Sequence, residues 1–88
     1  MLIEVMGIEG EKTTALDAAV RDALDGLALC EAPEVRRVTD PTAIVARGAR
    51  RWPALRVDGR VLCAGATPAA AEIRAWLQQA DAAEAAGA

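Results

Sequence analysis

Trp52-Pro53-Ala54-Leu55-Arg56-Val57-Asp58-Gly59-Arg60-Val61-Leu62-Cys63-Ala64 is the stretch around which the rest of the chain can be ordered. Two β-prone runs, residues 54–57 and 60–64, flank Asp58-Gly59. A two-residue hairpin turn needs positive φ at both central positions, and Asp-Gly supplies it at low steric cost. This pattern predicts an antiparallel hairpin with its turn at Asp58-Gly59.

Upstream of the hairpin, Thr39-Asp40-Pro41 reads as an N-cap followed by proline in a first helical turn, with the short helix ending near Gly48. Before it, Pro33 breaks the chain and residues 34–38 form a strand. Further back, Leu16, Val20, Ala23, Leu24 and Leu27 recur at three- and four-residue steps, with Asp17, Arg21, Asp22 and Asp25 on the opposite face. That spacing predicts an amphipathic helix from about residue 14 to 25, capped by Thr13 or Thr14 and stopped by Gly26. Residues 2–6 read as a buried first strand that ends at Gly7. Downstream, Thr67-Pro68 repeats the cap-and-proline signal, and Ile73, Trp76, Leu77 and Ala80 mark one face of a last helix. The domain is expected over residues 1–80, and the alanine-rich residues 81–88 are expected to be a frayed tail. The order β-α-β-α-β-β-α defines an α/β fold with a four-stranded mixed sheet.

Eighty-eight residues accommodate one core. Hydrophobic residues make up 53% of the chain, yet Trp52 and Trp76 are its only aromatics, so Ala, Val, Leu and Ile must fill the interior. No apolar run approaches the roughly 20 residues that span a bilayer, and the N-terminus lacks the features of a signal peptide, so no membrane association and a cytoplasmic location are expected. The chain contains no histidine, and its two cysteines, Cys30 and Cys63, lie far apart in sequence. Zinc sites and Ser/His or Cys/His catalysis lose their usual residues, and no metal or cofactor is expected. The net charge of −3 conceals an arginine-rich block: residues 36–60 hold seven arginines against Asp40 and Asp58. Such a block serves as a solvated face or as a docking patch for an anionic partner. Nucleic acid is disfavoured, because the overall charge is negative and neither tryptophan has an aromatic neighbour in sequence to build a stacking platform.

The opening strand ending in Gly7, the Trp52-Pro53-Ala54-Leu55 and Val57-Asp58-Gly59 segments, Gly65, and Glu72-Ile73-x-x-Trp76-Leu77 form a pattern over about residues 1–78. In these features the chain resembles the small thioredoxin-like proteins, a redox-active disulfide and glutaredoxin-like family. In that family Gly-x-Gly-Cys-x-x-Cys joins the first strand to the first helix. Here the stretch reads Gly7-Ile8-Glu9-Gly10-Glu11-Lys12-Thr13, so Gly10 and Thr13 stand at the cysteine positions. A register shift of one residue places Glu11 and Thr14 there and restores no thiol. The attacking thiol of such proteins sits at a helix N-terminus, where free N–H groups stabilise the thiolate; glycine has nothing to ionise. The resemblance further implies a cis Trp52-Pro53 bond, an extended peptide bound beside it, and Trp52 facing the former active site.

Cys30 and Cys63 do not replace the missing pair. A helix of about twelve residues, about 18 Å at 1.5 Å per residue, separates Cys30 from the loop end of the sheet, whereas the hairpin returns Cys63 towards that end. The two are expected to be unbridged, small core residues, with Cys63 the one residual redox candidate. Gly10-Glu11-Lys12-Thr13 suggests a phosphate loop, but Glu11 interrupts the required Gly-Lys-Ser/Thr order. Arg47, Arg50 and Arg51, with Lys12 across the groove, are expected to form a cationic rim around the Trp52-Pro53 site. The leading reading is a non-catalytic binding module for a protein or extended, acidic peptide. A monothiol redox protein using Cys63 and a small anion-binding protein are the alternatives.

Overall fold

A computed structural model describes residues 1–87. Its elements are β1 (Leu2–Met6), α1 (Glu11–Leu24), β2 (Glu34–Val38), α2 (Pro41–Ala46), β3 (Ala54–Val57), β4 (Arg60–Ala64) and α3 (Ala70–Gly87). The sheet has the order β2-β1-β3-β4, with β1 parallel to β2 and antiparallel to β3, and β3 antiparallel to β4. This is the thioredoxin-like arrangement of a mixed four-stranded sheet. The hairpin falls where its turn chemistry places it, with Asp58 at φ 47° and Gly59 at φ 85°. Asp58 also ties the turn to the central strand: its Oδ1 accepts from Leu2 N at 2.7 Å, and its N–H donates to Leu2 O at 2.9 Å.

Alternation along the strands separates two packing regions. Ile3, Val5, Leu55 and Val57 meet Leu16, Val20 and Ala23 of α1 and Ile73 and Leu77 of α3 in the larger core. Complete burial of one such aliphatic side chain contributes about 1.5–3 kcal/mol. Met6 and Ala54 instead meet Ile44 and Ala49 in a smaller cluster around α2. Arg74 of α3 locks the larger layer by donating to the carbonyls of Ala23 and Asp22 at 3.1 and 3.0 Å. A cation is thereby placed on the C-terminal carbonyls of α1, the negative end of the helix dipole.

Helix starts depart from the sequence expectation. α1 begins at Glu11, and its N-cap is Gly10 with no side-chain cap, rather than Thr13 or Thr14. Thr13 lies within the first turn, is buried, and donates its hydroxyl to Ile8 O at 2.8 Å. The packing of the loop therefore takes the hydroxyl that the capping rule assigned to a helix end. α3 begins at Ala70, beyond Thr67-Pro68, and continues through the alanine-rich residues to Gly87, alanine being the strongest helix former. At α2 the signal holds: the Asp40 side chain accepts from Thr42 N at 3.2 Å.

Candidate functional site

At the end of the sheet where β1 runs into α1, residues 8–13 face Trp52 and Pro53 across a groove of about 400 Å³. The Trp52-Pro53 bond is cis. Pro53 is buried, and its carbonyl accepts from Gly65 N at 2.8 Å, which fastens this wall to the β4–α3 connection. Ile8 and Trp52 remain exposed on opposite sides. The geometry therefore offers an apolar slot with a helix N-terminus at its edge.

Gly10 occupies the N-cap in an extended conformation, and a Cβ built there would meet nothing within 4 Å. Thr13, one turn on, is only 3% exposed and packs so closely on Gly7 that a Cβ at position 7 would overlap its Oγ1. Positions 10 and 13 are thus an open backbone site and a buried hydroxyl already bonded to Ile8. Neither side chain forms a thiolate or carries a transferable electron pair for disulfide exchange.

Gly10, Lys12, Thr13, Trp52 and Pro53 are brought together here, along with Glu9 and Glu11. The arginines are not. Arg47 turns beneath the sheet, where its Nε lies 2.8 Å from Glu4 Oε2. Arg51 lays its aliphatic stem against Gly65, and neither it nor Arg50 lines the groove. The expected cationic rim is corrected accordingly: the groove is lined by one ammonium, Lys12, and by Glu9 and Glu11.

Glu4 is the prominent charge that the sequence reading left unpartnered. It is 2% exposed, and Arg56 Nη1 approaches its Oε1 at 2.6 Å while Arg47 holds the other oxygen. Burial pushes the carboxyl up, but the hydrogen bonds from Arg56 and Arg47, aided by their charges, outweigh it and hold the group below its ordinary value. A lone acid inside a buried strand was the available signal. Its partners are separated from it by 43 and 52 residues: Arg56 follows from the pairing of β1 with β3, and Arg47 from the position of α2 over that face.

The two cysteines are free. Cys63 is half-buried on β4 opposite Leu55, and burial pushes its thiol up, with Glu72 adding to the rise and the Leu55 backbone opposing it. This is opposite to the lowered pKa that activates an attacking thiol. Cys30 is exposed, a correction to its expected core position. Asp81 of α3 accepts from its N–H at 3.0 Å and from its Sγ at 3.6 Å. The Asp81 charge, followed by that hydrogen bond, raises the Cys30 thiol above its ordinary value. Among the described residues no cluster of three or more His, Cys, Asp or Glu side chains has the arrangement to hold a metal ion, and no helix is long and apolar enough to cross a membrane.

The sheet order, the packing of α1 and α3 on one face and α2 on the other, and the groove between a helix N-terminus and a cis-proline define a thioredoxin-like module without its dithiol. The thioredoxin domain family matches residues 1–78, and the chain belongs to that family. It shows no significant similarity to any curated protein or any solved structure.

Proposed function

We propose that this protein is a non-catalytic binding module whose groove between residues 8–13 and Trp52-Pro53 takes an extended peptide segment. The single observation that carries the reading is the groove itself: exposed Ile8 and Trp52 border an apolar slot whose floor at Gly10 and Thr13 holds no thiol. Trp52 supplies a rigid aromatic contact, the kind of side chain that dominates binding energy when covered. The mixture of Lys12 with Glu9 and Glu11 at the rim favours a segment of balanced charge over the uniformly acidic one that the arginine count suggested.

The test is peptide selection on the full chain, followed by chemical-shift mapping with a selected peptide. Perturbations should fall on residues 8–13 and 52–54 and weaken with Trp52→Ala. Perturbations confined to the Asp58-Gly59 end of the sheet would refute the assignment. In parallel, insulin reduction with dithiothreitol should proceed at the uncatalysed rate. Because position 10 has open space, Gly10→Cys/Thr13→Cys should raise that rate, showing that the scaffold still presents a thiol correctly.

A further inference from the structure

The sheet has two edges, β2 and β4. Glu34, Arg36 and Arg37 are exposed along β2, a charged edge of the kind that discourages pairing. β4 carries charge only at its first residue, Arg60, followed by half-buried Val61, Leu62 and Cys63 and no proline. A register irregularity opposite Leu55/Arg56 lets both Leu62 and Cys63 pack on the helix side, while Val61 packs on the other. The apolar stripe on that side is therefore wider than simple alternation allows.

The flank of α3 above this edge continues the stripe. Glu72, Trp76, Gln79 and Ala83 recur at steps of four, three and four, one line along a helix, on the side away from Arg74 and α1. Trp76, Gln79, Ala80 and Ala83 border a second groove with Leu62 and Arg60, about 320 Å³ in volume, at the hairpin end of the edge. Arg60 lies at that end, whereas Glu72 lies near Cys63 towards the other. Both are exposed, and neither has an ion-pair partner among the described residues. Opposite charges at opposite ends of one apolar edge are self-complementary under a twofold rotation, which reverses the direction of the strand.

We infer that a second copy of this chain docks on the β4 edge, antiparallel about a twofold axis near Leu62, with Leu62 and Trp76 of both copies in the seam. Arg60 of each copy faces Glu72 of the other. Because a bulge blunts the strand, side chains of β4 and α3 carry the contact rather than a long hydrogen-bonded ladder. The seam lies apart from the Trp52 groove, so it does not depend on the peptide reading.

Sedimentation equilibrium of the full chain across a wide concentration range tests this. The mass should rise from 9.2 kDa towards twice that value. Arg60→Glu or Glu72→Arg, each on an exposed side chain, should weaken the dimer about tenfold or more, equivalent to about 1.4 kcal/mol. The double exchange should restore it, and circular dichroism should show all three variants folded. A monomer at every concentration, a dimer indifferent to the single changes, or a double exchange that fails to rescue would each overturn the proposal.

Discussion

Ile3, Val5, Leu55 and Val57 face the layer formed by α1 and α3, whereas Glu4 and Arg56, one residue away on the same strands, face the opposite side. The first side is sealed by apolar packing along two helices. The second is covered by only the six residues of α2, over Met6 and Ala54, and the rest of its centre is filled by a carboxylate held between two guanidinium groups. The difference teaches how register is specified here. A slip of one residue would drive Glu4 into the aliphatic core and carry Val5 to the ionic side, so both faces oppose the same error.

The strongest way to break this comparison is to weigh the faces directly. Leu55→Ala should cost about 2–5 kcal/mol, measured by urea unfolding, because it leaves a cavity between two helices and the sheet. Glu4→Gln should cost less, about 1–3 kcal/mol, since Arg47 and Arg56 keep partial access to water when the carboxylate is lost. A larger loss for Glu4→Gln than for Leu55→Ala would mean that the ionic face dominates the fold.

Acid sharpens the same contrast. The folded-state pKa of Glu4 is depressed, so the stability it contributes is fully present above the ordinary carboxylate value and is lost as pH falls through the lowered one. Unfolding free energy measured against pH should therefore decline in that window, and the decline should be shallower in Glu4→Gln. Trp52→Ala lies outside both faces and should change stability by less than either substitution while weakening peptide capture. The smallest effect belongs to Cys30→Ser, on an exposed side chain, which should shift stability within about 0.5 kcal/mol. A much larger loss would show that the contact with Asp81 anchors α3.

Much of the architecture is legible in short windows. The bounds of β2, β3 and β4, and the cap and proline that open α2, follow from alternation and from residues whose preferred φ/ψ is local. The starts of α1 and α3 were misplaced because threonine before a helical run is a common cap but not an obligatory one. Gly10 opens α1 without a side-chain cap, and α3 opens at Ala70, past Thr67-Pro68. Gly10, Thr13, Trp52 and Pro53, singled out through the family pattern, and Lys12, singled out for its charge, do line one groove. Arg47 was assigned to the wrong side because nearness along the chain to Trp52 says nothing about which face of the sheet a side chain leaves from.

The sequence by itself determined that no thiol stands at residues 10 and 13, that a hairpin turns at Asp58-Gly59, and that aliphatic side chains build the core, since each depends on residue identity or on neighbours a few positions apart. Only the tertiary structure decided that Glu4 is held by Arg47 and Arg56, that Cys30 is exposed beside Asp81, and that residues 8–13 face Trp52 and Pro53 while Arg50 and Arg51 do not line that groove. Those outcomes depend on which distant segments the sheet order and the α1–α3 packing bring together. Charge energies at a few ångströms are governed by such contacts and by burial, neither of which a linear spacing specifies.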